Sequence, residues 1–210
     1  LRAIRGRARD LEASGRHAYI QVFKNRGREA GASLRHPHTQ ITALPFVPPR
    51  VEEEEARFEA WAAGPGGCLL CRLVEEEILS GERLVRLDRS FAAVAPFGSA
   101  FPLETRIVPL HHSGSFSAMD DRETEDLAAC LRGVLGALRR SADNPPYNLV
   151  FIQAPVRSAL FHWHLDVLPV LVRTAGFEWG TGVHINPIPP ERAAVRLRRP
   201  AAPSKSADGT

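Results

Sequence analysis

Cysteine is scarce, with three in 210 residues. So small and odd a number excludes a disulfide-framed secreted scaffold. No apolar run approaches the ~18 residues that a membrane-spanning helix needs, and no secretory leader pattern is visible; the expectation is a cytoplasmic protein with no membrane partner. Aromatic residues are thin at 7%. None is interleaved with the basic clusters at the two ends, Arg2, Arg5, Arg7 and Arg9 at the start and Arg192, Arg196, Arg198 and Arg199 at the finish. The acidic run at 52–55 offsets them, and the formal net charge is only +3. A nucleic-acid partner would call for a one-sided basic surface with stacking platforms, so none is expected.

What is present is an ordinary apolar fraction, 44%, enough for one large domain or two small ones. A helix is predicted over 1–16 with Gly15 as its stop, a strand over 19–23, a glycine-bearing loop over 25–33 and a strand over 36–44 that prolines 45, 48 and 49 terminate. A helix over 51–63 runs into Gly64-Pro65-Gly66-Gly67, a candidate boundary. Beyond it come a turn and helix at 68–80, a hairpin of 84–87 with 91–95, and a strand at 105–108. The clearest amphipathic helix spans 120–140, with Asp120 or Asp121 as cap and Cys130 on its apolar face. Strands at 147–153 and 161–168 and a helix within 187–198 complete the order. Residues 199–210 have the composition of a disordered tail.

An internal echo organises these elements. Tyr19-Ile20-Gln21-Val22-Phe23 leads through a loop to His36-Pro37-His38 and Pro45; Tyr147-Asn148-Leu149-Val150-Phe151 leads through a loop to His162-Trp163-His164 and Pro169. Strand, loop, His-x-His strand and proline occur twice, the mark of a repeated unit. The predicted architecture is α+β: antiparallel sheets with flanking helices, a first unit over 1–63 with only its closing strands, and a complete second unit over 64–198. The expectation is that the chain is a fragment lacking its N-terminal part.

Two constellations carry chemistry. In His36-Pro37-His38-Thr39-Gln40, strand geometry puts alternate side chains on one face, so His36, His38 and Gln40 should share a surface. Exposed strand histidines are the bland alternative. The neighbouring Gly27 to Ser33 stretch offers backbone N–H groups suited to phosphate oxygens, with Asn25 and Ser33 as further polar groups. Cys68-x-x-Cys71 has the spacing of a metal pair; two buried thiols near a turn are the alternative.

Asn25-x-Gly27, Gly31-x-Ser33 and His36-Pro37-His38-x-Gln40 together resemble the active-site signature of galactose-1-phosphate uridylyltransferases, a branch of the histidine-triad superfamily. The resemblance implies a histidine-triad-like fold. It implies that His38 attacks the α-phosphorus of a nucleotide sugar and becomes nucleotidylated, that Gln40, Asn25 and Ser33 contact phosphate, and that His36 is a ligand of a first zinc site whose other ligands this chain lacks. Imidazole, with an unperturbed pKa of ~6.5, can act as such a nucleophile without a separate base.

Pro109-Leu110-His111-His112 resembles the family's Pro-x-x-His segment and favours His112 over His111. By analogy with His36, His162 then completes a second, structural zinc site with Cys68 and Cys71. A rival iron set would be Glu54, His162 and His164, but the loop at 154–160 lacks the further histidine that set requires. The role of His164 stays open. The segment from Ala175 to Glu191 resembles the C-terminal loop of the zinc-bearing branch, which includes ADP-glucose phosphorylases; Glu178 and Asn186 would face a hexose phosphate, or the glycines there simply make turns.

The implied function is transfer of a nucleoside monophosphate between a nucleotide sugar and a hexose 1-phosphate, with UDP-glucose and galactose 1-phosphate as the leading pair and a homodimer as the assembly. The alternatives are an ADP-glucose phosphorylase-like transferase and a non-catalytic, zinc-stabilised fragment.

Overall fold

The structure, a computed structural model, describes residues 1–34, 36–64, 66–155 and 160–199. The expected disordered tail therefore lies, from residue 200 onward, outside the described residues, as do Pro65 of the glycine-rich breaker and most of the loop at 154–160.

Seven strands form one antiparallel sheet. They are β1 (Tyr19–Arg26), β2 (Gln40–Leu44), β3 (Leu84–Leu87), β4 (Phe91–Val94), β5 (Thr105–Pro109), β6 (Tyr147–Ile152) and β7 (His164–Pro169), in the spatial order β2-β1-β6-β7-β5-β4-β3. The two echoed strands are direct neighbours: β1 pairs with β6, placing Val22 opposite Phe151 and Asn25 opposite Asn148. The sheet thus runs without interruption from the strands of the first unit into those of the second.

Both faces are covered, and the period-two alternation assigns each residue its layer. Ile20, Val22, Ala93, Ile107 and Phe151 point into one core, closed by Ala8 of α1 (Arg2–Ala13), by Leu127, Cys130, Val134 and Leu138 of α4 (Asp121–Ser141), and by Ala193, Ala194 and Leu197 of α6 (Pro190–Arg198). Their sequence neighbours Tyr19, Ala92, Val108 and Ile152 point the other way, toward Val51 and Phe58 of α2 (Pro49–Ala63) and Leu70 and Val74 of α3 (Leu69–Ser80). Asp120 caps α4 in a reciprocal capping box with Glu123, a device worth about 1 kcal/mol. Among the described residues no helix is long and apolar enough to cross a membrane.

Three boundaries differ from expectation. Both His-x-His segments were read as lying within strands; instead β2 begins at Gln40, beyond His36 and His38, and β7 begins at His164, beyond His162. Each leading histidine sits in the irregular approach to its strand, where Pro37 denies a ladder donor in one copy. Asn25 and Arg26 belong to β1 rather than to a loop, because they pair with Asn148 and Tyr147. The glycine-rich segment after Ala175, expected to make turns, winds one short helix, α5 (Gly176–Thr181), which Gly182 terminates in the left-handed conformation.

Candidate functional site

Gly27 has φ of 92°, and a β-carbon there would lie 2.6 Å from Pro146; only glycine fits. It opens a tight loop in which the N–H groups of Ala30 and Ala32 both donate to the Gly27 carbonyl, and that of Gly31 donates to Arg28. Those three amides, expected as phosphate donors, are spent on the loop itself. Asn25 is similarly engaged: its amide nitrogen lies 3.4 Å from the Gly31 carbonyl, and its oxygen accepts from Asn148, 2.8 Å away. Asn148 also donates to Ala30. Sequence reasoning passed over Asn148, though its place opposite Asn25 follows from pairing the two echoed strands.

The loop delivers the chain to the histidines. Ser33 and His36 are exposed, while His38 and Gln40 are half-buried. The His38 ring is fixed by a 3.1 Å contact from Nδ1 to the His36 carbonyl oxygen. A carbonyl can only accept, so Nδ1 carries the hydrogen and Nε2 presents its lone pair. The second copy repeats this posture: His164 Nδ1 lies 3.4 Å from the His162 carbonyl oxygen.

Four predicted metal ligands converge. Donor atoms of Cys68, Cys71, His112 and His162 all lie within 4.8 Å of one another. His162 Nδ1 is 3.5 Å from Cys68 Sγ and 3.3 Å from Cys71 Sγ. Cys68 is the N-cap of α3, its sulfur accepting from the Cys71 amide, so the helix start sets the spacing of the pair. His112 meets His162 edge-to-face at 5.2 Å between ring centroids. His111 instead turns to Glu123 of α4, 3.2 Å away. Burial, then the neighbouring His112, pushes the His162 imidazole down to about 4, which keeps it neutral, the form that ligates. Burial, then the hydrogen bond with Cys68, pushes the Cys71 thiol up to about 12; a coordinated cation would deprotonate it. Two thiols and two imidazoles this close suit a four-coordinate ion such as zinc, held at about 2.0–2.3 Å from each donor.

The iron set is not assembled. His162 faces the cysteines, whereas Glu54 Oε1 lies 3.5 Å from His164 Nε2 in a different cluster. Asp166, fully buried, accepts from Arg106 at 2.8 Å and from Arg50 at 2.7 Å. Burial alone would raise the Asp166 carboxyl; the Arg106 guanidinium, with His164 and Arg50, outweighs it and holds that carboxyl well below the usual range. Burial, then Arg106, pushes His164 down to about 3. A guanidinium wedged between the carboxylates fills the place that a cation would need. This network was missed in sequence; its one signal was Asp166 standing where Gln40 stands in the other copy.

Glu178 and Asn186 lie apart from both clusters in their bonding. Glu178 accepts from the Ala175 amide at the start of α5. Asn186 donates to the carbonyls of Ser99 and Phe101 and accepts from the Ile188 amide, pinning two loops together.

Comparison with known proteins gives a consistent result. A model described as "Galactose-1-phosphate uridyl transferase, C-terminal domain" matches residues 54–199, and the corresponding N-terminal domain model matches residues 2–48. An ADP-glucose phosphorylase of Arabidopsis thaliana is 37% identical over 86% of this chain and 51% of its own length. A galactose-1-phosphate uridylyltransferase of Thermotoga maritima is 36% identical over 91% of this chain and 63% of its own length. Among solved structures, the Arabidopsis ADP-glucose phosphorylase with bound ADP-glucose superposes with a TM-score of 0.88 at 35% identity, over 95% of this chain and 65% of that one. The chain spans between about half and two thirds of the lengths of these relatives.

Proposed function

The chain belongs to the galactose-1-phosphate uridyl transferase family, and on that premise we propose that it serves nucleotidyl transfer between a nucleotide sugar and a hexose 1-phosphate, with His38 as the nucleophile. The observation that carries this reading is the posture of His38: Nδ1 tied to the His36 carbonyl, Nε2 available, and the ring only half-buried. In the first step the Nε2 lone pair forms a bond to the α-phosphorus, and the bond from that phosphorus to the bridging oxygen breaks, releasing hexose 1-phosphate. In the second, a phosphate oxygen of another hexose 1-phosphate attacks the same phosphorus and the N–P bond breaks. Gln40, two residues on, would donate to the phosphoryl oxygens as their charge shifts.

UDP-glucose with galactose 1-phosphate is the leading substrate pair, in keeping with the uridylyltransferase relatives. An ADP-glucose phosphorylase-like reaction is the second reading, favoured by the 37% identity to the Arabidopsis enzyme. Cys68, Cys71, His112 and His162 would hold a structural zinc ion, which would tie α3 to the exit of β5 and the approach to β7. The resemblance also supports a homodimer, and the unpaired cysteines fit a reducing, cytoplasmic setting.

Incubating the chain with nucleotide sugars labelled at the α-phosphorus tests the reading. The expected result is an acid-labile protein adduct, absent in H38N, with the base that labels best choosing between the two substrate pairs. A folded, zinc-loaded chain that never labels would overturn the enzyme reading in favour of a non-catalytic module.

A further inference from the structure

We infer that Glu12 is a positioning residue for the Cys68–Cys71–His112–His162 centre, and that the arginine-rich first helix is the strap that holds this centre's exposed ligand in place. The inference rests on the zinc reading above.

The starting point is that His112 is exposed. Its ring meets solvent as well as the His162 ring, so its position depends also on the segment that follows it. That segment is bound on two sides. On one, the Ser113 carbonyl accepts from the Trp163 amide at 2.9 Å and the Gly114 carbonyl accepts from the Ala154 amide at 2.8 Å, which ties it to the residue after His162. On the other, it meets α1. Arg2, Arg5, Arg9 and Glu12, at spacings of three, four and three, share one helix face. Arg5 reaches the Met119 carbonyl, the Thr124 hydroxyl and Asp121; Arg9 donates to the Ser117 carbonyl at 2.6 Å.

Glu12 makes the innermost of these contacts. Its Oε2 accepts from Ser117 Oγ at 2.5 Å; its Oε1 lies 3.0 Å from Ser115 Oγ and 3.2 Å from Gln153 Nε2. Gln153 is buried and also donates to the Ile20 carbonyl at 3.0 Å. One carboxylate therefore joins the serine-rich loop after His112 to the end of β6. Without it, a buried amide and two hydroxyls lose their common acceptor, and the loop that leaves His112 is held on this side chiefly by the backbone bonds of Ser113 and Gly114. Groups hydrogen-bonded directly to metal ligands carry about 10- to 100-fold of metal affinity; Glu12 acts one step further out, through the loop.

The test uses the full chain and its E12A, E12Q and H112A variants. Zinc affinity is measured by competition with a chromophoric chelator, the ligand field by the absorption spectrum of the cobalt-loaded protein, and stability by thermal melting in chelator. E12A is expected to bind zinc several-fold more weakly, short of the ~10-fold that loss of a group bonded directly to a ligand brings, and to shift the cobalt spectrum toward that of H112A. E12Q should stay close to wild type, because its amide can accept from one hydroxyl and donate to the other. Unchanged zinc affinity and an unchanged cobalt spectrum in E12A overturn the inference, even if its melting temperature falls, since that pattern belongs to a purely structural hydrogen-bond contact. If the wild-type chain takes up no zinc, or H112A binds it as tightly as wild type, the metal reading itself is wrong and the inference falls with it.

Discussion

The segment 36–40 and the segment 162–166 begin from the same pattern, His-x-His followed two residues later by a polar side chain, and end in opposite conditions. In both, the second histidine turns Nδ1 to the carbonyl of the first. The ring posture is thus a local property of the pattern. What differs is everything around it. His38 and Gln40 are half-buried at an edge strand, whereas His164 and Asp166 are fully buried in the middle of the sheet, walled by Arg50, Arg106 and Glu54. An oriented imidazole is useful to chemistry only where a substrate can reach it; the second copy has kept the orientation and turned the site into a buried ionic knot.

The sharpest way to break this comparison is to exchange the fates of the two rings. H38N should abolish covalent labelling by nucleotide sugar, a loss of several orders of magnitude, while H164N, whatever it costs in stability, should leave the folded fraction able to label. Equal loss of labelling in both variants would mean that the second histidine takes part. The same contrast predicts opposite effects one step along each strand. D166A strands the Arg106 guanidinium beneath the surface and should cost about 3–5 kcal/mol in urea unfolding. Q40A should barely change stability and should slow labelling instead.

How much of this was legible in sequence follows from which forces act locally. Strand and helix order came through residue type and periodicity: the β-branched and aromatic run from Tyr19 to Phe23 marks a strand, and the apolar stripe of Leu127, Cys130, Val134 and Leu138 encodes a helix face. The Cys/His cluster was readable because Cys-x-x-Cys spacing is set by one helix start, while the family resemblance of Pro109-x-x-His112 nominated His112 and the analogy with His36 nominated His162. The strand starts after the two His-x-His segments were not, because a strand begins where ladder pairing begins: β2 opens at Gln40 opposite Phe23 and β7 at His164 opposite Ile152, a register that residue types alone do not fix. The knot of Arg50, Glu54, Arg106 and Asp166 was invisible for the same reason: four residues from α2, β5 and β7 meet only in the folded sheet. Glu12 went unremarked in the sequence for the same reason: only the fold sets it against Ser115 and Ser117.

A milder probe is pH. The Asp166 carboxyl is held below its ordinary value of 3.8 by Arg106 above all, so the folded chain binds its proton more weakly than the unfolded chain does. Its stabilising contribution is complete above about pH 4 and fades as pH falls through the folded value. Glu54 and Glu104, raised by burial, act with the opposite sign and lose stabilisation as pH rises. The gap in unfolding free energy between wild type and D166N should therefore be widest above about pH 4 and narrow in acid. A constant gap across that range would mean that Asp166 works through shape rather than charge.

The smallest effect should come from the other end of α1. Arg2 pairs with Glu125 at 2.5 Å, yet the two side chains are 62% and 67% exposed. Water screens such a pair, and ordering two long side chains costs entropy, so R2A should change stability by about 0–1 kcal/mol and leave zinc affinity alone. Arg2 and Glu12 lie on the same helix face and bind the same stretch of chain. A difference between them in metal affinity would therefore reflect where each contact falls along that stretch: Glu125 lies inside α4, held by its own helix, whereas Ser115 and Ser117 belong to the loop that carries His112.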